Sequence, residues 1–475
     1  MSKFLGIFLL LIFITSCSLD NKTGLWTKKQ KLKEEKKIII KELFEKEKAL
    51  EKEFNPNLKI NLSAKLIDNS FINNFDNNNG RVNYNGTLKS ISKFKFKKIE
   101  NFNQLEPEII FDKNNVIFFD DKGSILKFDN FSKLIWKKNY YTKPEKKSKP
   151  ILFFANNADT LIVADSIAKY YAININNGEL LWSKNNSAPF NSQVKVYRDK
   201  FFVIDFENIL RCYSIKDGTE LWKIKTDQSF IKSQKKLSIV IVDNKVYFNN
   251  SIGDISAVDI ASGILLWQTP TQSSEIYEEA FFLKTSDLIA SNNSILFSNN
   301  KNEFFSLDIK RGNLNWKQKV NSNIRSTLVD NIIFAVSMEG FLIIIDNQTG
   351  NIVRITDVFT QYKRSYKKKK RKRTFTFGKK KESDQTSKRI VREKSKPTYT
   401  FGQGKNRTSS IEPVGFILGS KNIYLTTTNG RLIIIDVVTG KPISIIKIDN
   451  DKISRPFVLN KNLFIVKDNA IIKLD

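Results

Sequence analysis

The sequence predicts an all-β protein: an eight-bladed β-propeller of four-stranded antiparallel blades. A short motif recurs along the chain, and the tryptophans of five copies are spaced by 46, 40, 45 and 49 residues. Within each copy, apolar and polar residues alternate as they do in half-buried strands. Most copies also contain Asp-x-x-x-Gly, a turn sequence. Short strands that repeat with a period of about 40–50 residues are typical of propeller blades.

Two residues of the repeat have structural roles. Glycine at the turn adopts a left-handed conformation that β-branched residues resist. We expect the tryptophan to wedge between neighbouring blades, where it buries a large apolar area. The first copy lacks the glycine and the last two lack the tryptophan. The repeat residues are Trp136, Trp182, Trp222, Trp267 and Trp316, with Gly178, Gly218, Gly263, Gly312, Gly350 and Gly440.

The count of blades also predicts how the ring closes. Seven full copies and one partial copy make eight blades between residues 90 and 475. The last copy lacks its fourth strand, and an open ring would expose unpaired strand edges. Residues 91–98 alternate cleanly and come just before blade one. We therefore predict that they pair with residues 469–475 and close the propeller.

The start of the chain predicts an exported lipoprotein. Lys3 precedes an apolar run, residues 4–14, which fits a signal peptide over residues 1–16. The run ends in Ile14-Thr15-Ser16-Cys17, which resembles a bacterial lipobox. That resemblance implies cleavage before Cys17, palmitate-type acylation of this residue and attachment to the periplasmic side of the outer membrane. The alternative is an uncleaved anchor helix with a chance cysteine.

Residues 17–89 are predicted to tether the lipid to the propeller. Within them, residues 28–53 are rich in Lys and Glu and place apolar residues at helical spacing. This pattern predicts a charged helix, either a simple spacer or a coiled coil for a partner. Residues 73–87 are rich in Asn and are interpreted as a linker.

A basic insertion interrupts the repeat between blades six and seven, at about residues 360–410. Residues 363–407 hold 19 Lys and Arg against three acidic residues, a net charge of +16. Two aromatic segments, 374–378 and 398–402, could pair as a hairpin. Beside a bilayer, such an arm could bind anionic lipid or lipopolysaccharide; it could equally be a tolerated loop expansion. Export argues against nucleic acid. Its consecutive cations are Lys367, Lys368, Lys369, Lys370, Arg371, Lys372 and Arg373.

Composition excludes several functions. The chain has no histidine and two cysteines, so His-based catalysis, His-containing zinc sites and disulfide scaffolds are impossible. The formal net charge of +30 would ordinarily suggest a polyanion partner, but more than half of it lies in the insertion. Cys212, the second cysteine, lies in an apolar stretch and is predicted to be a buried core residue.

The repeat sequence also carries a family resemblance. Asp-x-x-x-Gly-x-x-x-Trp resembles the blade motif of quinoprotein-type propellers. Together with the lipobox and eight blades, residues 90–475 are similar to the BamB family, outer-membrane lipoproteins of the β-barrel assembly machinery. The resemblance implies a scaffold that docks onto periplasmic repeat domains of the barrel-assembly protein through loops after blades three and four. The matching positions here are Phe230, Ile231 and Lys232, then Lys284, Ser286 and Asp287.

The competing interpretation is a quinoprotein dehydrogenase. Enzymes that resemble this repeat use an Asp base, a calcium ion and usually a disulfide of adjacent cysteines, and this chain has no adjacent cysteines. Its turn aspartates recur once per blade, so we expect them to bond their own turns. We therefore predict no catalytic residue, metal or cofactor. These aspartates are Asp259, Asp308, Asp346 and Asp436.

Overall fold

The computed structural model describes residues 50, 52–69, 80–227, 233–271, 282–291, 293–360 and 411–475. They belong to one compact unit, Leu50–Asp475. Across the described ranges, the chain forms eight four-stranded antiparallel sheets, which confirms the predicted propeller. In seven of these blades the four strands follow one another in sequence order, so each blade is a local meander.

The strands of the first four blades have short, similar lengths. Blade one is β2–β5 (Ile110–Asp112, Asn115–Phe119, Ile125–Phe128, Leu134–Lys138) and blade two is β6–β9 (Leu152–Asn157, Thr160–Asp165, Lys169–Asn174, Leu180–Asn185). Blade three is β10–β13 (Lys195–Tyr197, Lys200–Ile204, Ile209–Ser214, Glu220–Lys225) and blade four is β14–β17 (Ile239–Val242, Lys245–Asn249, Ile255–Asp259, Leu265–Thr269).

The remaining blades follow the same plan. Blade five is β18–β21 (Ile289–Ala290, Ser294–Asn299, Glu303–Asp308, Leu314–Gln318) and blade six is β22–β25 (Thr327–Val329, Ile332–Val336, Phe341–Asp346, Ile352–Asp357). Blade seven is β26–β29 (Pro413–Leu418, Asn422–Thr427, Arg431–Asp436, Pro442–Lys447), and blade eight combines β30–β32 (Phe457–Leu459, Asn462–Lys467, Ala470–Leu474) with β1 (Ser90–Lys95).

Burial changes from the inner to the outer strand of a blade. The middle strands are almost wholly buried, as β24 shows with its run Ile343–Ile345. A strand covered on both faces by neighbouring blades favours such continuous apolar runs over alternation. The fourth, outer strands are mostly exposed, for example β9. Cys212 is buried in the cluster between blades three and four, as predicted.

The ring closes through the predicted strand. β1 pairs antiparallel with β32, with Lys93 opposite Ile472 and Lys95 opposite Ala470. Phe94 is fully buried at this seam. The aromatic rings of Phe128 and Phe464 lie near it, at 5.7 and 6.2 Å between centroids. An N-terminal strand therefore completes the blade formed by the end of the chain, and this removes the exposed edge.

Each repeat tryptophan lies between its own blade and the next. Its indole Nε1 donates to a backbone carbonyl in the following turn, for example from Trp182 to Ile215 (2.9 Å). The glycine of that turn lies against the same ring. A Cβ on Gly218, whose φ is +68°, would approach Trp182 Cζ3 to 2.6 Å. Both the left-handed backbone and the close approach therefore require glycine here.

Blade six places an arginine in the position of the missing tryptophan. Arg354 is fully buried, and its Nη1 donates to the carbonyls of Val438 (2.5 Å) and Leu58 (2.8 Å). A Cβ on Gly440 would lie 2.6 Å from Arg354 Nη2. Burial lowers the pKa of Arg354, partly offset by Asp436. From the repeat sequence alone, only the absence of tryptophan from this copy was evident.

The segment before the propeller packs on blades six to eight. Ile60 donates its amide to the Val438 carbonyl (3.0 Å), and Ser63 Oγ donates to Asp330 (3.2 Å). Val82 and Tyr84 are buried. Residues 80–87, the second half of the predicted linker, thus lie against the propeller, because their apolar side chains fill its surface. The rest of that linker and residues 28–49 and 51 of the predicted helix lie outside the described residues, and residues 50, 52 and 53 of that helix are not helical.

Helix is a minor component of the part of the chain that the structure describes. One short helix, α1 (Lys143–Lys147), carries a capping box in which Thr142 and Glu145 exchange hydrogen bonds, and a 3₁₀ turn covers Phe102–Gln104. No described helix has the length and apolar character needed to cross a bilayer.

Candidate docking face

The loops that join successive blades lie on one face of the propeller, which we call the axial face. The predicted contact loops, residues 227–234 and 282–288, both belong to it. Phe230, Ile231 and Lys232 lie outside the described residues, as do Cys17 and the cation run 367–373. Lys284 is exposed beside Phe282, whose side chain is 70% exposed.

The other two predicted contact residues lie beneath this surface. Ser286 is buried, and its hydroxyl accepts from the Ser298 amide (3.0 Å) and donates to the Asp287 carbonyl (3.2 Å). Asp287 is buried as well and accepts from Gln193 Nε2 (3.2 Å). Their side chains therefore hold the inner end of blade five, while Phe282 and Lys284 are available at the surface.

Asp287 belongs to a ring of polar residues around the propeller axis. In five blades, the residue two positions before the inner strand is polar: Glu108, Gln193, Asp287, Arg325 and Arg455. Because inner strands converge on the axis, these positions meet although they are far apart in sequence. With Lys235 and Lys236, four of them line a pocket of about 70 Å³. We call these seven residues, together with Glu106, which also lines the pocket, the axial ring.

Ion pairs hold the axial ring together. Lys235 Nζ lies 2.5 Å from Glu106 Oε1, and Lys236 Nζ lies 2.9 Å from Glu108 Oε1. Arg455 Nη2 is 3.5 Å from the same Glu108 oxygen, so Glu108 serves two cations. Asp287 Oδ1 and Arg455 Nη1 are buried without a hydrogen-bond partner among the described residues.

The neighbouring cations determine how the three acids of the axial ring ionise. Burial alone would raise the pKa of Asp287, but Lys236, Lys235, Arg455 and Arg325 outweigh it and lower that pKa to about 2. Desolvation opposes ionisation of Glu106 and Glu108 too, and the neighbouring lysines again reverse the sign, so both pKa values are lowered. Three carboxylates are therefore charged at neutral pH against four cations, and the axial ring is net positive.

The turn aspartates are used within their own turns, as predicted. Asp259 accepts from the Ser262 amide (2.8 Å), and Asp308 accepts from the Arg311 amide (2.7 Å). Asp346 and Asp436 accept from the amides of Thr349 (2.8 Å) and Thr439 (2.7 Å). Across the described residues, no group of three or more Cys, Asp or Glu side chains is placed to hold a metal ion.

A family comparison now identifies this propeller. The sequence profile of one protein family, described as "Outer membrane protein assembly factor BamB", matches residues 90–356, which is more than half of the chain. The chain belongs to the BamB family. A curated BamB from Shewanella oneidensis is 30% identical over 104 residues. That alignment covers 21% of this chain and 25% of the relative, so the chain matches only a quarter of that relative's length.

Solved structures agree on the fold. BamB from Moraxella catarrhalis superposes with a TM-score of 0.59 at 11% identity, covering 82% of this chain and all of that one. Quinohemoprotein alcohol dehydrogenase from Comamonas testosteroni gives a TM-score of 0.57 at 9% identity, over 83% of this chain and 78% of the enzyme. At such low identities the likeness shows the propeller alone, because BamB proteins and dehydrogenases share it.

Most of the axial ring was not predicted from the sequence. The family resemblance pointed to Asp287 but not to Glu108, Arg325 or Arg455. A usable signal was present, since each of these charged residues stands two positions before an inner strand. Reading that signal requires the strand starts to within one residue, and those are the least certain part of any sequence-based assignment.

Proposed function

We propose that this BamB-family chain is a non-enzymatic scaffold for the assembly of outer-membrane β-barrel proteins. In this proposal, it is anchored at Cys17 on the periplasmic side of the outer membrane and docks onto periplasmic repeat domains of the barrel-assembly protein. The axial face is the docking surface. Family membership and the net-positive axial ring support the proposal. The turn aspartates occupy the same position in successive blades and bond their own turns, which argues against a single catalytic carboxylate.

The observation that carries the proposal is the layering of the axial face. Phe282 and Lys284 are exposed at its rim, and the net-positive axial ring lies behind them. An apolar anchor beside cations over a buried polar centre is a usual composition for an interface hot spot. We therefore expect a partner that offers an apolar pocket and acidic groups.

A matched pair of variants tests this docking. Phe282→Ser with Lys284→Glu removes the rim contact, and Phe131→Ser with Lys133→Glu makes the same changes at an exposed turn of blade one on the opposite face. Both sets alter exposed side chains, so neither should unfold the propeller.

The assay is co-purification with the periplasmic domains of the barrel-assembly protein in mild detergent. We expect the rim variant to weaken binding at least about tenfold, the effect of losing one hot-spot residue, and the control to bind as the natural chain does. Equal binding by both variants would refute the docking surface, and failure of the natural chain to bind would refute the partner.

A lipid contact is a second candidate function, because the tether meets the root of the basic insertion. Glu53 Oε1 accepts from the Asp357 amide (3.0 Å), and Phe54 pairs with Ile355 in β25. The insertion follows β25 directly. A chain anchored through Cys17 would thus bring the +16 segment close to the membrane, where each basic residue adds about 1 kcal/mol of attraction to anionic lipid.

Deleting residues 363–407 tests the lipid contact. The assay is flotation with vesicles of phosphatidylglycerol and with vesicles of phosphatidylcholine, using the Cys17→Ser chain so that no acyl chain contributes. We expect the deletion to abolish binding to the phosphatidylglycerol vesicles and to leave the result with phosphatidylcholine vesicles unchanged. Unchanged binding would refute this role and leave the docking proposal untouched. Labelled palmitate, incorporated by the natural chain and not by Cys17→Ser, tests the anchor itself.

A further inference from the structure

The outer strand of blade four exposes a row of large apolar side chains. Ile264, Leu265 and Leu266 are 61%, 39% and 44% exposed. They follow the turn at Gly263, at the opposite end of the blade from the axial face. Docking at the axial face therefore leaves this row uncovered. A row of this kind on an unpaired strand edge is a ready template for another chain.

Blade six shows what covers the equivalent row. There Leu50 and residues 52–55 of the same chain lie against the outer strand β25. Phe54 and Ile355 exchange both backbone hydrogen bonds, at 3.1 and 2.8 Å. Asn55 Nδ2 donates to the Val353 carbonyl (3.4 Å), and Leu50 packs on the same core cluster as Ile352. An extended segment thus adds to this edge through one backbone pair and apolar side chains.

The edges of blades four and six have the same geometry. Counted from the turn glycines Gly263 and Gly350, Leu265 and Leu266 correspond to Ile352 and Val353, and Gln268 corresponds to Ile355. Both outer strands carry a β-bulge at the same place. In blade four it lies between Leu265 and Trp267, and in blade six it lies between Ile352 and Arg354. Ile352 and Val353 are half-buried under the segment, whereas their counterparts in blade four are exposed.

We propose that the outer edge of blade four binds an extended segment of an unfolded polypeptide by strand addition. The segment carries apolar residues four positions apart, as Leu50 and Phe54 do, so that both lie on one side of an extended chain. Its backbone pairs with Gln268 as Phe54 pairs with Ile355. The bulge limits the backbone pairing to one residue, so the apolar side chains supply most of the affinity and the sequence preference is broad.

The chemistry of the edge selects this occupant. A reciprocal backbone pair needs a free amide and a free carbonyl on one residue, which lipid lacks and which folded domains offer only at their own edges. An unfolded chain presents both throughout. The site is separate from the axial face, so this inference does not rest on the proposed docking, and the two surfaces can be occupied together.

The probe for this site is a fluorescein-labelled peptide with the sequence of residues 48–60, carrying a benzophenone in place of the Phe54 ring. The full chain is irradiated with it, and the cross-links are mapped by mass spectrometry. Leu265→Ser with Leu266→Ser removes the proposed contacts, and Leu180→Ser with Leu181→Ser makes the matched change on blade two. Urea unfolding midpoints verify that both variants are folded.

We expect the natural chain to give cross-links at residues 264–268. The blade-four variant should bind the peptide about tenfold more weakly, and the blade-two variant should give the same cross-links as the natural chain. N-methylation of the backbone amide of the residue that carries the benzophenone should lower the affinity as well, because that amide is the donor of the backbone pair. The proposal would be overturned if all cross-links fell in β25. It would also be overturned if neither the blade-four variant nor the methylated peptide lowered the cross-link yield at β17.

Discussion

Replacing Gly218 by alanine should destabilise the propeller through two separate effects. The turn holds this residue at φ +68°, where an L side chain costs about 1–2 kcal/mol. The added Cβ would also lie 2.6, 2.8 and 2.9 Å from three carbons of the Trp182 ring. Forcing a methyl group into such a packed contact costs about 1–3 kcal/mol. Together we expect a loss of about 2–5 kcal/mol in the free energy of unfolding.

A second glycine separates the two effects. Gly80 has a φ of +53°, and a Cβ there meets nothing within 4 Å. Gly80→Ala should therefore show the backbone cost alone, about 1–2 kcal/mol. Trp182→Leu provides the complementary test, since a smaller side chain removes the contact. In that background Gly218→Ala should cost about as little as Gly80→Ala.

The measurement is urea unfolding at 25 °C followed by far-UV circular dichroism. Its midpoint and slope are compared between the natural chain and the four variants, because the slope shows whether each of them unfolds in the same way. If Gly218→Ala were no more destabilising than Gly80→Ala, the contact between turn and tryptophan would not be what requires glycine. Equal costs in the presence and absence of the Trp182 ring would refute the reasoning in the same way.

Three further predictions concern single buried groups. Arg354→Met should lower the free energy of unfolding by about 2–4 kcal/mol in urea titrations, because two carbonyls lose a charged donor. Arg354→Trp should lower it by about half as much, since the indole N–H can replace one of the two hydrogen bonds. Because the folded pKa of Asp287 is lowered to about 2, its contribution of about 2 kcal/mol is present above pH 4 and lost as the pH falls toward 2. Unfolding midpoints between pH 2 and 7 should therefore fall less in Asp287→Asn. Burial raises the pKa of the Cys212 thiol to about 12, so the Cys17→Ser chain should react with a thiol reagent at pH 8 only in urea.

The local features of the fold were predictable because each depends on residues close in sequence. The glycine turn, the four strands of a blade and the bonds that Asp259 or Asp346 make within their turns all lie within one repeat. The closing strand is the exception, since β1 and β32 pair although they lie at opposite ends of the propeller's sequence. It was predictable because an incomplete last copy leaves one edge unpaired, and residues 91–98 were the alternating segment next to blade one.

The candidate site was predictable only in part. The resemblance pointed to the loops after blades three and four, and thus to Lys284, Ser286 and Asp287. It could not show that Ser286 is buried or that Asp287 faces cations from three other blades. Glu108 and Arg455 are 347 positions apart in sequence. Nothing in a single repeat indicates that their side chains meet 3.5 Å apart at the axis.

By itself the sequence determined the propeller, its eight blades and the strand that closes it, because strand alternation, turn glycines and repeat length are local properties. The tertiary structure alone decided which charges surround the axis and that Arg354 occupies a tryptophan position. It also decided that Leu50 and residues 52–55 cover the outer edge of blade six and leave that of blade four exposed. These features depend on which blades become neighbours and on where the ring brings distant loops together. Curvature, packing and long-range electrostatics set them, and none of these can be read from the repeat.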